Sequence, residues 1–151
     1  MNPGDIVFQP LGFDPKSGCV ALHELLLLKW PHFSHTGIFN GDGKMFTSSG
    51  KVELQDAGAT GNIAVPFAWN NWDVTQAWLK SQLGKPYDWL GWFLAATQPL
   101  TLMYRPAIDT NTYICSSLVA EALKRNDGAR FQSLNFRTVT PDDVARAIGV
   151  I

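Results

Sequence analysis

Cysteine and histidine can do covalent chemistry together when a fold brings them within hydrogen-bond reach, and this chain holds two cysteines and three histidines. Cys115 lies in "NTYICSSLVAEAL", where an uncharged, β-leaning run changes into a helical pattern. With a helix beginning near Cys115, the apolar stripe reads Cys115, Leu118, Val119, Ala122, Leu123, the i, i+3, i+4, i+7, i+8 spacing of a core-facing side. The thiol therefore points inward from a helix N-terminus. Burial alone suits a structural thiol, because free cysteine packs as a small hydrophobe. A nucleophile needs a base from elsewhere in the chain.

That base is sought in "FSHTGIFNGDGKMFTSS", two alternating runs around a Gly-rich turn, which predict a β-hairpin. On its first strand His35, Gly37 and Phe39 share one face, so the imidazole neighbours a residue without a side chain, leaving room for another element to approach. A three-residue turn "GDG" pairs Asn40 with Lys44, Phe39 with Met45, Gly37 with Thr47 and His35 with Ser49, leaving Thr47 diagonal to His35 on the same face. A two-residue turn puts Ser48 opposite His35 and Thr47 on the other side, since a one-residue slip swaps faces. Cys19, His23, His32 and His35 could form a zinc set, with Cys19 and His23 at i, i+4 spacing, but they lack the compact spacings of zinc motifs, and no metal or cofactor is expected.

The elements that must position these groups are also legible. "DIVF" after Pro3 and Gly4 reads as a short strand, followed by a Pro/Gly loop, and residues 19–30 as a helix ended by Pro31. "KVELQD" and "NIAVPF" read as further strands. "NWDVTQAWLKSQLG" reads as a helix starting near Trp72 or Asp73 and ending at Gly84, and "TPDDVARAI" as one capped by Thr140 with Pro141 at its first position. Between them, residues 89–104 hold no charge but are interrupted by Gly91 and Pro99, too short and broken for a membrane span. Packing, an apolar ligand or a lipid surface could cover them.

Composition bounds the function. The 151 residues are 46% hydrophobic and 17% charged, enough for one α+β domain with a real core. Twelve basic against thirteen acidic residues leave a net charge of −1, so there is no electrostatic footprint for nucleic acid. Two cysteines do not make a disulfide framework, and reduced thiols are expected. "MNPGDIVFQP" has neither the basic start nor the apolar core of a signal peptide, and "LLLL" at 25–28 is flanked by His23, Glu24 and Lys29. The expectation is a chain that is cytoplasmic as synthesised, reaching a cell wall only by a phage particle, lysis or a secretion apparatus.

"SHTGIFNGDGKMFTSSG" resembles the histidine hairpin of the NlpC/P60 superfamily of papain-like cysteine hydrolases, and "GKPYDW" and "YICSSLVAEAL" are similar to its tyrosine and cysteine-helix segments. In the commonest members cysteine precedes histidine. Here His35 comes 80 residues before Cys115, the order of the circularly permuted branch that includes YiiX-like and lecithin:retinol-acyltransferase-like proteins. "PGDIVF" and "TPDDVA" also resemble that branch, so the likeness spans nearly all of residues 1–151 as a single domain.

The resemblance implies a papain-like α+β fold, with an antiparallel sheet carrying His35 packed against the helix that bears Cys115. It implies Cys115 as nucleophile, with its thiolate formed by His35, and a third polar group that orients the imidazole. The position matching that third residue, usually a second histidine or another polar side chain, is Thr47, a departure, because a hydroxyl carries no charge. Tyr87 matches a family tyrosine near the thiol and, with the backbone N–H of Cys115, would serve an oxyanion site. The implied activity is cleavage of an amide, in peptidoglycan stem peptides, through a thioester acyl-enzyme. The permuted order and the uncharged residues 89–104 suggest a lipid amidase or acyltransferase as the alternative, and the threonine at the third position a catalytically silent binding or virion-structural domain.

Overall fold

The computed structural model describes residues 1–12, 30–58, 61–89, 111–135 and 139–151. Most of the expected helix over residues 19–30, including Cys19 and His23, and residues 90–104 of the uncharged stretch lie outside them.

Five antiparallel strands form one sheet: β1 (Ile6–Pro10), β2 (Phe33–Gly41), β3 (Lys44–Ser48), β4 (Val52–Asp56) and β5 (Ile63–Val65), in the order β4-β3-β2-β1-β5. Three helices complete the described residues: α1 (Trp72–Gln82), α2 (Cys115–Asn126) and α3 (Pro141–Ala147). The fold class is thus α+β. β5 is shorter than "NIAVPF" promised, because Pro66 has no N–H to extend the ladder.

Helix boundaries follow local chemistry. Asn71 caps α1 by accepting from Val74 N–H, and Gly84 with φ +85° turns the chain away beyond its end. Thr140 and Asp143 close a reciprocal capping box on α3, with Pro141 at the first turn.

The hairpin keeps the register of the three-residue reading but closes it with a different loop. Asp42 (φ 52°) and Gly43 (φ 73°) make a two-residue turn with both residues left-handed, and Gly41 pairs with Lys44. Asn40 is then bulged out, which restores Phe39↔Met45 and Ile38↔Phe46, the register of the three-residue reading. The two-residue loop is not the one that would set Ser48 opposite His35, and the faces are those of the three-residue reading.

The core lies between the sheet and the helices. Ile6, Phe8, Ile38 and Phe46 meet the α2 stripe of Leu118, Val119, Ala122 and Leu123, all fully buried, with Val144 and Ala145 of α3. Val7, Phe39, Met45 and Ala57 form a second cluster. Gly37 leaves no room for a side chain: a Cβ there would stand 2.7 Å from Phe46 O and 2.9 Å from Met45 Sδ. The space that a side chain at Gly37 would need is therefore taken by β3. Among the described residues no helix is long and apolar enough to cross a membrane.

Candidate active site

The β2–β3 ladder, among the described residues, ends at Ile38↔Phe46, whereas β1–β2 continues to Phe33 and β3–β4 to Ser48↔Val52. Backbone parity shows what this exposes. Phe39 N–H donates to Asp5 O and Phe39 O accepts from Gly4 N–H, so odd residues of β2 bond toward β1 and even ones face β3. Beyond the ladder's end, the backbone of Thr36 needs other partners.

The site supplies them. Thr47 Oγ1 donates to Thr36 O at 2.8 Å. Thr36 N–H points to the Cys115 sulfur. Ser48, which a continued ladder would have engaged, turns its hydroxyl to Tyr113 O at 2.8 Å and so fixes the strand-like approach to α2. The start of α2 is thereby inserted where the two strands of the hairpin part.

Thr47 Oγ1 also lies 2.8 Å from His35 Nε2. The hydroxyl has one proton and gives it to Thr36 O, so it accepts from His35, and Nε2 carries the hydrogen. The nitrogen left for the thiol is Nδ1. Cys115 and His35 are hydrogen-bonded through their side chains, which makes an ordered relay Cys115–His35–Thr47–Thr36.

Two opposing influences act on the thiol. Burial, with 8% of Cys115 exposed, pushes its pKa up. The His35 charge, the hydrogen bond from His35 and the backbone N–H groups of Thr36 and Ser116 together outweigh burial and hold the thiol below its ordinary value. The sequence provides for those N–H groups by what it omits. Ile114, the residue before α2, has no side chain that could cap the helix, and Ser117 bonds back to Ile114 instead. The first N–H groups of α2 are left to the sulfur and to an incoming anion.

Tyr87 reaches the same place by a short parallel bridge to Tyr113, with Tyr113 N–H donating to Pro86 O and Asp88 N–H to Tyr113 O. Burial, then the negative charge of a Cys115 thiolate, then Asp88 raise its pKa well above the ordinary tyrosine value. Tyr87 thus stays a neutral donor. Its ring packs on Trp89 at 4.6 Å between centroids, and Trp89 is exposed. All four residues singled out in the sequence, Cys115, His35, Thr47 and Tyr87, come together.

Asp142 escaped sequence reasoning. Fully buried at the start of α3, it accepts from His32 N–H at 3.0 Å and Phe33 N–H at 2.9 Å, and its Oδ2 meets His32 Nδ1 at 3.0 Å and Arg146 at 3.6 Å. It ties the first residues of β2 to α3, three positions before His35. The signal was the doubled acid of "TPDDVA": Asp143 suffices for the capping box, leaving Asp142 to bond elsewhere. Ser116 strengthens the same corner by donating to Val139 O at 2.7 Å.

A cavity of about 380 Å³ between α1 and α2 is lined by Trp78, Gln82, Lys85, Tyr113, Glu121 and Arg125. It includes neither Cys115 nor His35, and its charges are engaged: Arg125 pairs with Glu121 and covers Trp78, while Lys85 donates to Asn111. Among the described residues no group of three metal-ligating side chains converges. Neither a protein-family model nor a curated protein matches this chain.

Proposed function

We propose that the protein is a papain-like thiol hydrolase that opens an amide bond through a thioester acyl-enzyme, acting on peptidoglycan stem peptides. The observation that carries the chemistry is the oriented relay: a thiol held below its ordinary pKa, a histidine whose Nδ1 faces it, and a hydroxyl whose proton is already committed. The substrate class rests on the resemblance to the permuted NlpC/P60 branch.

In this mechanism His35 Nδ1 takes the thiol proton and the Cys115 thiolate attacks the amide carbon. The carbonyl oxygen becomes an oxyanion held by the Cys115 N–H at the helix start and by the Tyr87 hydroxyl, groups that gain strength as the charge develops. Imidazolium Nδ1–H then protonates the departing amine, the C–N bond breaks and a thioester remains. His35 next deprotonates a water, which attacks the thioester, and the acid and free thiol are released.

A second reading, a lipid amidase or acyltransferase, is favoured by Trp89, an exposed indole tilted against the ring of Tyr87 that offers an apolar surface next to that residue. In that case an alcohol or amine replaces water in the second half-reaction. Incubating the protein and Cys115→Ala with purified peptidoglycan and with a lipid panel, followed by mass spectrometry, separates the two. Muropeptide cleavage that needs Cys115 supports the first reading and lipid products the second. A wild type inert on both, with a slow thiol, leaves a binding or virion-structural domain.

A further inference from the structure

A carboxylate stands one strand away from the His35–Thr47 pair. Thr47 and Glu53 are direct partners in the β3–β4 ladder. Residues so paired project from the same face, with Cβ atoms about 4.5–5.5 Å apart. Because Thr47 Oγ1 meets His35 Nε2 at 2.8 Å, Thr47 links His35, diagonal to it on β2, with Glu53, opposite it on β4, all on one face of the sheet. The carboxylate is also fixed. Glu53 Oε1 accepts from Ser49 Oγ at 3.1 Å and from Gln55 Nε2 at 2.9 Å, and Gln55 Nε2 bonds Ser49 Oγ as well. Ser49 directly follows β3, so this bond ties the carboxylate to the end of that strand.

Thr47 leaves an electrostatic need unmet. When the thiol ionises, imidazolium Nε2–H rests on a neutral oxygen whose own proton is spent on Thr36 O. A charged acceptor stabilises a cation more than a hydroxyl does. Resting on the thiol-hydrolase reading, we propose that Glu53 is a positioning residue, supplying from the neighbouring strand the negative charge that Thr47 lacks and so favouring the thiolate–imidazolium form of the Cys115–His35 pair.

Among the described residues, the other titratable groups around β2 have other engagements or sit elsewhere. Cys115 of α2 and Tyr87 with Asp88 lie on the thiol side. Gln9, opposite His35 on β1, is uncharged. Asp142 of α3 is bonded to His32 and Arg146 at the start of the strand. Lys51, in the β3–β4 connection, is exposed and bridges to Pro86.

Two strand spacings put the carboxylate roughly 9–10 Å from the imidazole. At that separation, with an effective dielectric between about 20 and 80, removing the charge lowers the imidazolium titration by about 0.3–1.3 pH units.

The test is an NMR titration of the His35 ring in wild type, Glu53→Gln and Glu53→Asp, with iodoacetamide labelling of Cys115 followed across pH. Glu53→Gln should bring the His35 midpoint down by that amount and pull the alkaline edge of the ion-pair reactivity with it, and Glu53→Asp should restore most of the shift. In the wild type, 1 M salt should move the midpoint toward the Glu53→Gln value, a measurement that needs no variant to fold. A folded Glu53→Gln with an unchanged midpoint, or a wild-type midpoint indifferent to salt, overturns the proposal. Slow Cys115 labelling in the wild type would instead defeat the hydrolase reading, while the His35 titration still reports on Glu53.

Discussion

Thr47→Val removes a hydroxyl and keeps the shape, so its effects can be worked from two bonds. Thr47 is fully buried, and its Oγ1 both donates to Thr36 O and accepts from His35 Nε2, each at 2.8 Å. Loss of the donor strands a buried carbonyl, which costs about 1–3 kcal/mol of stability. For a chain of this length that lowers Tm by roughly 2–4 °C per kcal/mol. Loss of the acceptor frees the imidazole to rotate and to exchange tautomers, and one neutral hydrogen bond of about 1–1.5 kcal/mol corresponds to a rate loss on the order of 10-fold. The assay is the second-order rate of Cys115 alkylation at neutral pH, with peptidoglycan turnover and a thermal melt alongside. Thr47→Ser, which keeps the hydroxyl, should stay within about 3-fold of the wild-type rate. If Thr47→Val alkylates as fast as wild type and melts at the same temperature, the relay described here is wrong. If Ser49→Ala is the damaging change instead, the hairpin positions have been assigned the wrong roles.

Three further outcomes are expected. For His35→Ala the sign follows from the balance at the thiol: burial raises the Cys115 pKa and His35 is the main influence lowering it, so without the imidazole the midpoint of alkylation should rise from its position below the ordinary value; a midpoint unmoved from wild type would remove His35 as the base. Gly37→Ala drives a methyl into Phe46 O and Met45 Sδ and should destabilise by about 1–3 kcal/mol while slowing Cys115 labelling, since the parting of β2 and β3 is disturbed; a melt equal to wild type would contradict that contact. Asp142→Asn loses the charge that gathers two backbone N–H groups and His32, a cost on the order of 2–3 kcal/mol or roughly 5–10 °C in Tm, measurable by calorimetry and refuted by an unchanged melt.

The sequence by itself determined what depends on neighbours a few residues apart. The α2 stripe from Cys115, the Thr140–Pro141 start of α3, the end of α1 at Gly84 and the existence of the hairpin all follow from helical or strand period, capping chemistry and the conformations open to glycine. Tertiary structure decided the rest, because the deciding contacts join distant residues or depend on a single-residue shift. The turn could be read as two or three residues, and only the bulge at Asn40 settled on which face Thr47 stands. That Thr47 accepts from His35 follows from where its proton goes, to Thr36 on another strand. Asp142 lies more than a hundred residues from the strand it secures, and Tyr87 finds Tyr113 through a bridge with no local signature. Glu53 is one more charged residue in "KVELQD" until pairing sets it opposite Thr47. Period and capping reveal which residues face inward; which inward-facing residues meet is fixed by register and packing, where a displacement of one residue exchanges every partner.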